Sequence, residues 1–166
     1  MMRWIAASKV AVIGVALLAL AACSKSNNPT DPSAAAMAGR AVPGSERDFT
    51  VNVGDRVFFP NDVSTLSQEN METLRRQAQW LKLYPNVTVQ VEGHADERGT
   101  REYNLALSAR RAANVRDFLV AQGIAPNRIS TISYGKERPV ALCDAEACWS
   151  QNRRAVTVIM SGAVSG

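Results

Sequence analysis

The sequence predicts a two-layer α/β sandwich in the order strand, helix, strand, helix, strand, strand, carried behind an export signal and a flexible tether. Three observations lead there. Val87-Thr88-Val89-Gln90-Val91-Glu92 alternates strictly, as a strand with one buried face does. Met71, Leu74, Ala78 and Leu81 before it, and Leu107, Val115 and Leu119 after it, fall at helical spacing. Ile129–Ser133 and Ala155–Met160 then return to short β-type runs, and such alternation builds one sheet under helices. The 166 residues, 46% hydrophobic and 20% charged, suit one domain plus appendages.

Residues 1–22 carry Arg3 and Lys9 and then an apolar run of 13 residues from Val10 to Ala22. A bilayer core of about 30 Å needs roughly 20 helical residues, so the pattern fits a cleaved secretory signal rather than a span. The run ends in Leu20-Ala21-Ala22-Cys23, which resembles the bacterial lipobox and marks Cys23 for lipidation. Several acyl chains make such an anchor stable, at about 0.8 kcal/mol per buried methylene. Ser24 follows the cysteine, and by the same resemblance this points to the outer membrane, with the domain in the periplasm. Without Arg3 and Lys9 the chain has 17 basic and 15 acidic residues, a net +2 instead of +4. No basic run interleaved with aromatics suggests nucleic acid.

Residues 23–46 are rich in Ser, Asn, Pro, Ala and Gly and bury too little to offset their ordering entropy, so they are expected to form a flexible linker. The domain is expected over 47–166. Thr50–Val53 is a candidate small strand, with Gly54-Asp55 as its turn. Arg56–Phe59 is a strand stopped by Pro60-Asn61-Asp62. Ser67 or Asn70 caps the first helix, which Pro85 ends near Tyr84. The long helix runs from Thr100 or Arg101 to Gln122, with Gly123 as its stop. Gly135–Pro139 is a turn, and the final strand is entered through Asn152-Arg153-Arg154.

Chemistry concentrates between Gly93 and Ala113. Leu107, Arg111, Val115 and Leu119 are spaced by four and share one helix face, which is otherwise apolar. A guanidinium there needs a partner. An internal salt bridge to Glu97, Glu102 or Asp96 supplies one; so does an incoming carboxylate, if Arg111 lies at the rim of the stripe. Asp96 leaves a strand end and can accept from an ammonium. Asp96 and Arg111 together therefore have the polarity to read the zwitterionic end of an amino acid, with an expected affinity of roughly micromolar to millimolar. Gly99 permits the loop's backbone angle, and Gly99 and Thr100 open the helix where N–H groups favour an anion. Asn104 either braces this loop or contacts the ligand.

Gly93-His94-Ala95-Asp96-Glu97-Arg98-Gly99-Thr100, Tyr103-Asn104, Leu107-Ser108, Arg111-Ala112 and Val115 resemble the peptidoglycan-binding motif of the OmpA-like domain family. Phe58-Phe59, Asp62, Ser133–Pro139 and Ser150–Val156 extend the likeness to the peptidoglycan-associated lipoproteins of that family, over about residues 50–160. The resemblance implies a βαβαββ domain with a small mixed sheet. It implies binding of the diaminopimelate residue of the peptidoglycan stem peptide, a place in the Tol–Pal system that supports envelope integrity and cell division, and TolB and other Tol proteins as partners. By resemblance Asp62 lies near the ligand; as a residue it is equally a turn former beside Pro60-Asn61. By resemblance Asn152 and Arg153 approach the pocket; otherwise they are a solvated helix-to-strand junction.

The remaining features have plain structural readings. His94, the one histidine, is expected to pack and hydrogen-bond, and no metal or cofactor site is expected. Trp80 and Trp149 are expected to pack rather than to serve as stacking platforms. Cys143 and Cys148 suggest a disulfide in an oxidising compartment. A five-residue step turns roughly 500° around a helix, so the bridge implies an irregular turn between them. A nucleophile with its base is missing, which argues against an enzyme. The competing reading is a protein-docking lipoprotein without wall binding.

Overall fold

The structure, a computed structural model, describes residues 41–165. The signal at 1–22, Cys23 and the linker up to residue 40 lie outside the described residues.

Four strands form one mixed sheet in the order β1-β4-β2-β3: β1 Arg56–Phe58, β2 Thr88–Gly93, β3 Ile129–Ser133 and β4 Arg154–Ser161. β2 and β3 are parallel, and β4 runs antiparallel to both β1 and β2. Val89 and Val91 of β2 are buried on the face covered by α2, Gln68–Leu83, and α3, Arg101–Ala121. Leu74 and Leu81 from α2 and Val115 and Leu119 from α3 complete this core. Ser67 caps α2 by accepting from Asn70 N; the Asn70 side chain instead donates to Phe58 O at 2.9 Å and ties α2 to the end of β1. Pro85 follows the C-cap Tyr84, and Gly123 follows α3 at φ +93°.

α3 lies unusually close to the end of β2. A Cβ on Gly93 would stand 1.9 Å from Ser108 O. Glycine at this position lets the helix approach, and the approach brings Asp96, just beyond β2, beside the first turns of α3.

Three segments differ from expectation. Thr50–Val53 is not a strand: α1, Glu46–Asp48, runs into a π-helical turn over Phe49–Gly54. Phe49 and Val53 pack on the core, the Phe49 ring 4.9 Å from Trp80, while Val51 between them is 68% exposed; on a strand all three would share one face. The ordered region also begins before Arg47. Gly44 and Ser45 are buried, Ser45 caps α1, and Val164 N donates to Gly44 O. Finally, part of the expected helix-to-strand junction is a helix, α4, Glu146–Asn152. Cys143 and Cys148 are joined by a disulfide across the irregular bend that precedes it, with Cα atoms 5.6 Å apart.

Candidate functional site

Beyond β2 the chain stays extended: His94 N donates to Arg154 O and Ala95 N to Gly135 O. This carries Asp96 to the sheet end with only 4% of its surface exposed. Asp96 Oδ1 accepts from Arg98 N at 3.2 Å, and Oδ2 accepts from Arg98 Nη2 at 2.6 Å and Arg153 Nη1 at 3.2 Å. Burial pushes the Asp96 carboxyl up, but the hydrogen bonds from Arg98 and Arg153 outweigh it and hold the group below the usual carboxylate range.

Arg111 corrects the sequence reading in two ways. It is not at the rim: its surface is 0% exposed. Nor is it paired with Glu97, Glu102 or Asp96. Nε donates to Val63 O at 2.8 Å, Nη1 to His94 O at 2.9 Å and Nη2 to Pro60 O at 3.1 Å, with the Phe59 ring 5.0 Å away. Three of its five N–H groups thus gather the loop after β1 and the end of β2. Burial, reinforced by the nearby Arg153, lowers its pKa to about 10, so it remains charged at neutral pH. It is a buried cation with dipoles around it and no carboxylate bound to it.

Asp96 and Arg111 do border one notch. Asn61, Asp62 and Ala95 form one side of it, and Arg98, Tyr103, Asn104, Leu107 and Arg153 complete the lining. Its charged lining is three guanidiniums and two carboxylates, and one of the guanidiniums, Arg153, is already engaged by Asp96 and Glu146. The notch measures about 30 Å³, room for roughly two waters as the side chains stand. Two contacts close its rim. Arg98 reaches across to Asn61 Oδ1 at 3.0 Å, and Tyr103 OH donates to Asp62. Asp62 is the one non-glycine with positive φ among the described residues, at 59°, a conformation Asp tolerates and loops near sites often hold.

The other expected residues divide. Arg153 is buried in the notch wall, held by Phe59 O, Asp96 and Glu146. Asn104 lines the notch and also braces the loop, donating to Arg98 O at 2.8 Å. Gly99, at φ +88°, and Thr100, which caps α3 by accepting from Tyr103 N, shape the loop but do not line the notch. Asn152 points elsewhere: its side chain accepts from Val140 N and Ala141 N and donates to Ala141 O. It holds the segment ahead of α4.

Sequence reasoning missed Arg98 and Tyr103. Tyr103 was findable, since it stands three residues past the cap in the same turn as Asn104. Arg98 was not, because its position depends on Trp149. That tryptophan is a stacking platform after all: the Arg98 guanidinium lies 4.1 Å over its ring, and Trp149 Nε1 donates to Glu97 Oε1 at 2.8 Å. Trp80 packs in the core as expected and donates to Asp48. His94 is buried as expected, but neither ring nitrogen has a hydrogen-bond partner, and Glu92 Oε2 lies 3.5 Å from Nε2.

Among the described residues no cluster of His, Cys, Asp and Glu is arranged to hold a metal, and no helix is long and apolar enough to cross a membrane. A larger hollow of about 420 Å³ between β1 and the start of α2 has only Arg56 and Glu69 as charged lining, and Arg56 is engaged by Asp55.

Residues 58–153 match the OmpA family, a span that contains every residue lining the notch. The chain belongs to that family. It is 59% identical over 160 residues to the peptidoglycan-associated lipoprotein of Rhizobium meliloti, covering 95% of this chain and 91% of that protein. It is 61% identical over 153 residues to the protein of the same name from Agrobacterium fabrum, covering 90% and 86%. The crystal structure of the peptidoglycan-associated lipoprotein from Burkholderia pseudomallei aligns with a TM-score of 0.66 at 37% identity, over 70% of this chain and 100% of that one. Within the OmpA family the chain therefore groups with the peptidoglycan-associated lipoproteins, which are structural rather than enzymatic proteins.

Proposed function

We propose that the chain is an outer-membrane lipoprotein, anchored through acyl groups on Cys23, whose periplasmic domain binds peptidoglycan non-covalently and ties membrane to wall. The names of its relatives support the wall and the lipid. The ligand is the diaminopimelate residue of the stem peptide, whose free end carries an ammonium and a carboxylate. The observation that carries this reading is the notch itself: an ionised Asp96 and a buried, carboxylate-free Arg111 border the same small space. The ammonium replaces Arg98 Nη2 on Asp96. The carboxylate is drawn toward Arg111, whose positive potential no protein carboxylate neutralises by direct contact. Because the notch is small, binding requires Arg98 and the half-exposed Tyr103 to swing outward. Charge-assisted hydrogen bonds of about 1.5–3 kcal/mol each favour weak, reversible attachment, suited to a tether that must slide as the wall is rebuilt.

Partnership with TolB and other Tol proteins belongs to the same proposal and rests on family resemblance. The test is retention of the purified full chain, in detergent, on isolated sacculi. Wild type is expected to co-sediment and Asp96→Asn to remain in the supernatant with an unchanged circular dichroism spectrum. Co-sedimentation of both would overturn the notch reading, and retention of neither would favour a docking lipoprotein that leaves the wall alone. Cys23→Ser should move the protein from the membrane fraction to the soluble one without altering sacculus binding.

A further inference from the structure

The tightest ion pair at Asp96 involves a side chain that the ligand must displace. Arg98 Nη2 sits 2.6 Å from Asp96 Oδ2, bonds Asn61 as well, and lies over the Trp149 ring, while the arginine side chain remains 38% exposed. It occupies the place of an incoming ammonium. Its backstop, Trp149, belongs to α4, a helix of seven residues with no side-chain cap at its N-terminus and only Asn152 buried. So short and uncapped a helix does not hold itself, and no apolar side chain pins it to the core. Its N-terminal end is held by Glu146, whose carboxylate accepts from buried Arg153, and by the Cys143–Cys148 disulfide, with exposed Cys143 outside the helix and half-buried Cys148 within it, one residue before Trp149.

We infer that Arg98 is a built-in competitor for the ligand at Asp96, a latch whose closed position is stabilised by Trp149 and set by the Cys143–Cys148 disulfide. The inference rests on the notch being the ligand site. A protein that spends most of its time in a closed state binds with an affinity reduced by the fraction that is open. Loosening the latch therefore strengthens binding. Reduction by a dithiol does this through thiol–disulfide exchange: the protein disulfide gains two electrons and two protons to become two thiols, and the dithiol is oxidised to its own disulfide. The Glu146–Arg153 pair alone then holds the start of α4, Trp149 leaves the guanidinium more often, and Asp96 is freed more often.

The test is titration of the full chain in detergent with a soluble diaminopimelate-containing muropeptide, comparing wild type, Arg98→Gln, Trp149→Leu, Asp96→Asn, and wild type and Arg98→Gln reduced with dithiothreitol. Arg98→Gln is expected to bind roughly three- to tenfold tighter. Trp149→Leu and reduction are each expected to tighten binding about two- to fivefold in wild type, and reduction to add nothing once Arg98 is gone. Amide exchange should rise over residues 143–150 on reduction while the rest of the domain stays protected. Unchanged or weaker binding by Arg98→Gln overturns the latch. Tightening by reduction that persists in Arg98→Gln overturns the link from disulfide to latch, as does global unfolding on reduction. Failure of oxidised wild type to bind, or equal binding by Asp96→Asn, removes the notch reading and the latch with it; wild-type binding lost in Asp96→Asn, with Arg98→Gln unchanged, removes the latch alone.

Discussion

Arg111 is the residue whose role differs most from its sequence pattern. Helical spacing put it on the buried face of α3, and the structure keeps it there. Its partners are three carbonyls from two separate loops, which no spacing rule reveals. Removing it strands those acceptors, at about 1–3 kcal/mol for each buried unsatisfied group. Arg111→Ala is therefore expected to destabilise the domain by several kcal/mol, read as a lower urea midpoint, and Arg111→Lys by less. His94 gives a second residue-scale prediction. Burial, together with Arg154 and Arg138, lowers its pKa to about 3. The unfolded chain takes up a proton near pH 6.5 that the folded protein refuses, so the contribution is complete above pH 6.5 and is lost as pH falls toward 3. The slope is at most about 1.4 kcal/mol per pH unit. His94→Phe should flatten the stability profile between pH 6.5 and 5 in urea melts. Asp96 was legible because it ends an alternating strand; Arg98 was not, because its stacking partner is distant in sequence and the contact forms only once α4 docks.

At the scale of elements, legibility followed length and periodicity. α2, α3 and β2 all carry long, regular patterns and were readable from sequence, β3 to its boundaries and β4 to within a residue at each end. Thr50–Val53 alternates over too few residues to exclude a helical turn, and the exposure of Val51 between the packed Phe49 and Val53 is what distinguishes the turn from a strand. α4 has no apolar stripe and is held by Asn152, Arg153 and a disulfide, so hydrophobic pattern could not announce it. The contact between β2 and α3 is the element-scale feature on which the notch depends. Gly93→Ala would force a Cβ into Ser108 O, 1.9 Å away, and α3 must retreat. Overpacking of this kind costs about 1–3 kcal/mol or more. The variant is expected to melt lower and to lose ligand binding even where it remains folded, because Asn104, Leu107 and Arg111 retreat together. Wild-type affinity in a folded Gly93→Ala protein would contradict this coupling.

For the whole molecule, the sandwich leaves one end of the sheet, where β2 stops and α3 begins, to collect polar groups from segments far apart in sequence: the loop after β1, the Asp96 loop, α3 and Arg153 between α4 and β4. A single strand-to-helix motif supplies two of these, so Asp96, Asn104 and Arg111 could be read from the residues themselves; Asp62 and Arg153 came only through the family resemblance, because the sheet order β1-β4-β2 is what brings Arg153 beside Asp96. We propose that Asp96 and Arg111 converge on one zwitterionic ligand. This is tested most directly by a crystal structure of the protein soaked with a diaminopimelate-containing stem peptide. The ligand ammonium is expected within hydrogen-bonding distance of Asp96 Oδ2, with Arg98 displaced and the carboxylate directed at Arg111. Ligand density in the hollow between β1 and α2, with Arg98 still on Asp96, would contradict it.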